Sequence, residues 1–178
     1  MDRFKVINSF KNIDFGVIDK PLVICDIDHT TIKPKYDINY YRKKLKNDFI
    51  DKDDREAMAK SMYHMSVNMG LIKPTDLEGF NWLVEETKRL NGKFIFLTAR
   101  GDTAHKKTLK DLFSAGISNP NQYKIHYTEG KINKGDYIKK NNLTDGFNHI
   151  YFIDDYPEYL KSAINIYPNM NCYLFKYN

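Results

Sequence analysis

Pro21-Leu22-Val23-Ile24-Cys25-Asp26-Ile27-Asp28-His29-Thr30 is a short apolar run that ends in two carboxylates spaced i, i+2. The apolar part reads as a buried strand. Side chains alternate in extended backbone, so Asp26 and Asp28 are expected to project to one side, as an acid–base pair or a metal cradle. A buried strand that closes on two acids is costly unless the charges meet a cation or water, and this placement therefore asks for a functional explanation.

Working outward, apolar runs alternate with helix-like segments. Lys93–Thr98 reads as a second buried strand, followed by a helix over 103–115 with Leu109, Leu112 and Phe113 at helical spacing and Gly116 as its stop signal. A third strand is expected over 123–127 and a helix from Lys134. A fourth strand over 149–153 ends in Asp154-Asp155, a helix follows over 156–164, and a last strand covers 172–175. The alternation predicts an α/β fold, a Rossmann-like, mainly parallel sheet flanked by helices. In such sheets ligands bind outside the carboxyl ends of the strands, so Asp26, Thr98 and Asp154 are expected to converge on one crevice.

The interval 33–91 has little strand signal and several helical patterns, including one over 55–69, and is read as a small helical cap inserted in a single domain spanning 1–178. Thr75-Asp76-Leu77-Glu78 has the form of a capping box with Thr75 as the cap. Leu77, Phe80, Leu83, Thr87 and Leu90 then share one helix face, which reads as core. The first 19 residues alternate only weakly. No internal repeat or low-complexity tract is visible.

A chain of 178 residues with 42% hydrophobic residues is sufficient for one packed core. It contains no apolar run of transmembrane length, and Met1-Asp2-Arg3-Phe4-Lys5 lacks the apolar core of a signal peptide, so a cytoplasmic location without a membrane partner is expected. Cys25 and Cys172 lie in strand-like runs outside any Cys-x-x-Cys or Cys/His pattern, as reduced buried cysteines do, which leaves zinc and a cysteine nucleophile without support. The net charge is +5, and over 33–46 six bases (Lys33, Lys35, Arg42, Lys43, Lys44, Lys46) face one acid, Asp37. This cluster either steers a phosphate-bearing or nucleic-acid substrate or is a solvated helix face balanced by Asp48, Asp51, Asp53, Asp54 and Glu56.

Together the motifs resemble those of the haloacid dehalogenase superfamily of phosphotransferases, over about residues 21–155. Asp26-Ile27-Asp28-His29-Thr30 resembles the first motif, Thr98 in Phe96-Leu97-Thr98-Ala99-Arg100 the second, Lys134-Gly135 the third, and Asp154-Asp155 the fourth. The resemblance implies a phosphatase, a hydrolase that uses Mg²⁺, with Asp26 as the nucleophile forming an aspartyl-phosphate and Asp28 as general acid and base. Thr98 would donate its hydroxyl to a phosphoryl oxygen and Lys134 would supply positive charge. Asp154 and Asp155 would hold Mg²⁺ with Asp26 and the backbone carbonyl of Asp28. The chemistry suits these types: a phosphate monoester repels nucleophiles, so carboxylate attack needs a cation, and an all-oxygen shell suits Mg²⁺. Arg100 either contacts phosphate or pairs with a structural acid. His29 stands where many members carry Gly, beside the leaving group or facing solvent.

The expected substrate is a phosphorylated small molecule, such as a nucleotide, or a nucleic-acid end. The competing reading is a non-catalytic module that binds phosphate or a partner. A response-regulator-like phosphoacceptor has its acidic pair first, whereas here the pair comes last. Dehalogenase and phosphomutase activities share the same scaffold.

Overall fold

A computed structural model describes residues 3–46 and 51–177. Six strands form one sheet, all of whose neighbours are parallel: β1 (Lys5–Ile7), β2 (Leu22–Cys25), β5 (Lys93–Thr98), β6 (Lys124–Tyr127), β7 (Ile150–Asp154) and β8 (Asn171–Phe175). Their order is β1-β8-β7-β2-β5-β6, which puts β2 at the centre, between β7 and β5. Two further strands, β3 (Ile32–Pro34) and β4 (Ile72–Pro74), pair antiparallel as a separate ribbon. The helices are α1 (Ile38–Lys44), α2 (Lys52–Asn68), α3 (Leu77–Arg89), α4 (His105–Ser114), α5 (Lys134–Lys140) and α6 (Pro157–Ile166). This is the α/β architecture expected from the alternation of runs.

Period-two alternation along each strand divides the core into two layers. Val23, Cys25, Phe96, Ile153 and Tyr173 face Phe80 and Leu83 of α3 and Leu112 of α4. Leu22, Ile24, Ile95, Leu97 and Phe152 face Ile138 of α5 and Leu160, Ala163 and Ile164 of α6. Both cysteines are free and buried, as their apolar settings predicted. Among the described residues, no helix is long and apolar enough to cross a membrane.

Three local expectations are corrected. The insertion expected to reach residue 91 stops short: α3 lies on the sheet, because its face of Phe80, Leu83, Val84 and Thr87 is buried there. The ribbon packs on the same layer through Ile32 and Ile72, while α1 and α2 close a small separate cluster of Tyr41, Leu45 and Ala59 against Tyr36, Met62 and Tyr63. The cap of α3 is Asp76, not Thr75. The Asp76 carboxylate accepts from Gly79 N at 2.9 Å and also from the Ser9 hydroxyl at 2.6 Å and Phe10 N at 3.0 Å, a set of donors on which Thr75 does not draw. Thr75 instead donates its hydroxyl to the carbonyls of Thr30 at 2.5 Å and Thr31 at 3.1 Å. Finally, α4 begins at His105, residues 102–104 forming a single 3₁₀ turn before it.

Helices α5 and α6 approach so closely at Gly135 that a Cβ there would lie 2.5 Å from the backbone carbon of Ser162 and 2.6 Å from the nitrogen of Ala163. Backbone cannot yield as a flexible side chain does, so Gly135→Ala is expected to lower stability by about 2 kcal/mol, read by urea denaturation. Since α5 begins with Lys134, the same shift moves that lysine. Stability unchanged within 0.5 kcal/mol, roughly the effect of a neutral surface substitution, would contradict the close approach.

Candidate active site

The central strand delivers Asp26 to the carboxyl edge of the sheet. Its amide donates to the Ile153 carbonyl of β7 at 2.9 Å, and its own carbonyl accepts from the Thr31 hydroxyl at 2.7 Å. The chain then leaves the extended form: the amides of Thr31 and Ile32 both donate to the Ile27 carbonyl at 2.9 Å, closing a tight turn. At its apex His29 has φ +62, in the left-handed region that glycine enters without steric cost. His29 thus holds, with a side chain, a conformation that glycine adopts without cost.

Because the strand stops at Cys25, the i, i+2 rule does not place Asp28 beside Asp26. The Asp28 carboxylate turns to Arg100, whose Nε and Nη2 donate to its two oxygens at 2.8 and 2.7 Å. Arg100 also donates through Nη1 to buried Asp111 at 2.9 Å and to the Thr108 hydroxyl at 3.2 Å, and Lys107 reaches Asp111 at 2.9 Å. Arg100 thereby ties a site acid to a structural one. Asp111 and Thr108 escaped the sequence reading. The available signal was an acid on the buried face of an amphipathic helix beside Leu112.

Asp154 and Asp155 stand at the end of β7, next to β2, as expected. One carboxylate oxygen each from Asp26, Asp154 and Asp155 lies within 4.8 Å of the other two. Lys134, fully buried at the start of α5, donates to Asp26 at 2.5 Å and to Asp154 at 2.7 Å. Asp154 also accepts from the Tyr156 amide at 2.9 Å, and Asp155 accepts from the Thr30 hydroxyl at 3.3 Å. Thr98 ends β5 wholly buried, its hydroxyl oxygen accepting from the Arg100 amide at 3.2 Å.

The electrostatics follow from this burial. Desolvation, opposed by Lys134 and reinforced by Asp154 and Asp28, pushes the Asp26 carboxyl up to about 7. Burial raises Asp154 and Asp155 as well. Burial alone would lower Lys134, but Asp26 and Asp154 outweigh it and hold the ammonium above its ordinary value. The cluster therefore holds three acids against one lysine, which bonds Asp26 and Asp154 but not Asp155, leaving a surplus of negative charge in a largely buried site. That surplus and the all-oxygen donor set fit a hard divalent cation such as Mg²⁺, with Asp26, Asp154 and Asp155 to hold it.

The fold that presents this site is similar to those of two solved structures. The class C acid phosphatase from Bacillus anthracis, with tungstate bound, aligns at a TM-score of 0.52 and 14% identity, over 92% of this chain and 68% of that one. An archaeal beta-phosphoglucomutase from Pyrococcus sp. strain ST 04 aligns at 0.50 and 14% identity, over 83% of each chain. No protein-family model and no curated protein matches the sequence. At 14% identity the likeness carries the fold, and the activity has to be argued from the site.

Proposed function

We propose that this protein is a Mg²⁺-dependent phosphomonoesterase that works through an aspartyl-phosphate on Asp26 and acts on nucleotides or polynucleotide ends. The observation that carries the reading is Lys134 bridging Asp26 and Asp154 while Asp155 joins the same oxygen cluster. A nucleophilic carboxylate, a fixed positive charge and a cation cradle are what phosphoryl transfer to a carboxylate requires.

In this reading an Asp26 oxygen attacks phosphorus and the bond to the leaving alkoxide breaks, with Asp28 giving that oxygen its proton. Water then attacks the same phosphorus, Asp28 takes its proton, and phosphate leaves with the Asp26 carboxylate restored. Lys134 screens the approach of one anion to another, and Thr98 at the adjacent strand end donates to a phosphoryl oxygen. Arg100 orients Asp28. Bound Mg²⁺ would neutralise phosphoryl charge and align the groups.

The expected result is hydrolysis of an aryl phosphate with Mg²⁺ that EDTA abolishes and added Mg²⁺ restores, together with a melting temperature that rises when Mg²⁺ is added. Failure of both would overturn the proposal. The nucleotide assignment is supported by Lys33 and Lys35, which stand on the ribbon and its outgoing loop; a KM that does not move with salt would remove it. The second reading, a phosphate- or partner-binding module, has one observation in its favour: the two-point Arg100 clamp on Asp28 engages the group that must move a proton. Phosphate binding without turnover would establish it.

A further inference from the structure

Beside the acids lies a cavity of about 290 Å³, walled by the ribbon, α1, α2 and the C-terminal residues. Its chemistry differs from that of the acid cluster. Tyr36, Tyr40, Tyr63 and Tyr177 supply aromatic faces, and Lys33, Lys35 and Lys73 supply positive charge. Tyr36 and Tyr40 stack with centroids 4.3 Å apart, and Lys33 Nζ lies 3.4 Å above the Tyr177 ring. The cavity adjoins the candidate active site: His29, one residue beyond Asp28, lines it and bonds the Tyr177 hydroxyl at 3.1 Å. Tyr63 and Tyr177 feel the charges of Asp28 and Asp155 respectively.

The placement of the lysines is costly for the fold. Ile-Lys-Pro occurs twice, at 32–34 and 72–74, and the ribbon register sets Lys33 directly opposite Lys73. Like charges so placed destabilise a ribbon, and burial, with a smaller contribution from Lys73, lowers the affinity of Lys33 for its proton. Among the described residues none of Lys33, Lys35 and Lys73 has a carboxylate within ion-pair distance, whereas Arg42 of the same basic run is held by Glu56 at 2.6 Å. Among the described residues the cavity's one acid, Asp37, caps α1 through the Tyr40 amide at 2.7 Å. Lys33 rests on the Tyr177 ring, but among the described residues no carboxylate offsets the facing pair, and an anionic ligand would supply that counter-charge.

We infer that this cavity takes the base and a second phosphate of a nucleotide whose scissile phosphate lies at Asp26. A base of any identity would extend the Tyr36–Tyr40 stack, and the lysine pair suits a phosphate group beyond the one removed. The inference rests on the phosphatase reading for the scissile end only. The second phosphate belongs either to a free nucleoside bisphosphate or to the next nucleotide of a single strand.

The test is calorimetric titration of the Asp26→Asn protein in Mg²⁺ with thymidine 3′,5′-bisphosphate, 5′-phosphorylated tetrathymidylate and ribose 5-phosphate. The first two are expected to bind at least about tenfold more tightly than the sugar phosphate, an advantage that shrinks with salt. An oligonucleotide that outbinds the bisphosphate identifies a strand end, and parity identifies the free nucleotide. Lys73→Gln is expected to weaken binding of both about tenfold while its melting temperature stays or rises, which a merely structural lysine would not produce. Tyr40→Ala, at an exposed position, is expected to weaken both likewise. Equal binding of all three ligands, or variants that bind as the parent does, would overturn the inference even if aryl phosphate is hydrolysed. Discrimination without any hydrolysis would uphold the cavity and strike the phosphatase reading alone.

Discussion

Asp26→Asn is expected to lower kcat on every phosphate ester by about four orders of magnitude, the scale on which removing a catalytic nucleophile acts, and to leave a folded protein. The amide keeps the shape of the carboxylate but cannot form the acyl phosphate, whereas Lys134, and the remaining acids through Mg²⁺, would still hold the ester. Single-turnover measurement with the parent should show phosphate on Asp26 and the variant none. Turnover of the variant within tenfold of the parent would discard the aspartyl-phosphate. Stability provides an independent readout. Asp26 has a folded-state value of about 7, raised above the ordinary carboxyl value mainly by burial, so between the two values the native protein holds more protons than the unfolded chain and stability falls as pH rises. Asn carries no such charge, so in metal-free protein the variant is expected to melt higher than the parent at pH 8 and to lose that advantage near pH 4.

Lys134→Met has the second large effect, on both activity and folding. Its ammonium is the cation buried between Asp26 and Asp154, at 2.5 and 2.7 Å. Removing one partner of a buried ion pair leaves charge uncompensated, a loss of about 3–5 kcal/mol in comparable sites. Metal-free Lys134→Met is therefore expected to lose about that much in urea denaturation, with kcat reduced about a thousandfold in Mg²⁺. The double variant Lys134→Met, Asp154→Asn should regain part of the stability and none of the activity, since one carboxylate fewer is left stranded. If the single variant matched the parent in stability, Lys134 would not be the counter-charge that the geometry makes it.

How much of this was legible beforehand follows the range of the interactions. The strands carrying Asp26, Thr98 and Asp154 were readable because a buried parallel strand is a nearly continuous apolar run, and parallel order then forces their carboxyl ends to one edge. Lys134 was readable as a helix start but not as a buried cation; its burial depends on Gly135 letting α5 settle on α6, a contact 27 residues away in the chain. The Arg100–Asp111 and Arg100–Asp28 pairs were illegible because they join a helix, a loop and a strand end that only the fold brings together. Thr75 lost the cap to Asp76 for a similar reason: Ser9 and Phe10, distant in sequence, select the residue that serves both helix and turn. The helical pattern of α3 was correct, but a stripe of Leu and Phe does not say whether it faces a sheet or a lid.

The ribbon has a consequence for how such a protein diversifies. Ile32 and Pro74 are register partners, so the inserted segment leaves and re-enters the sheet domain through one narrow neck. Chain ends held side by side impose almost no length requirement on what lies between them, because closing a longer loop costs little more than closing a short one. The segment is thus an exchangeable cassette. Thr75 anchors its return to the Thr30 and Thr31 carbonyls, next to the acids, so a replaced cassette would meet the same unaltered chemical edge. Selectivity and chemistry can then drift under separate constraints, one encoded within the cassette and the other in the strands that it interrupts.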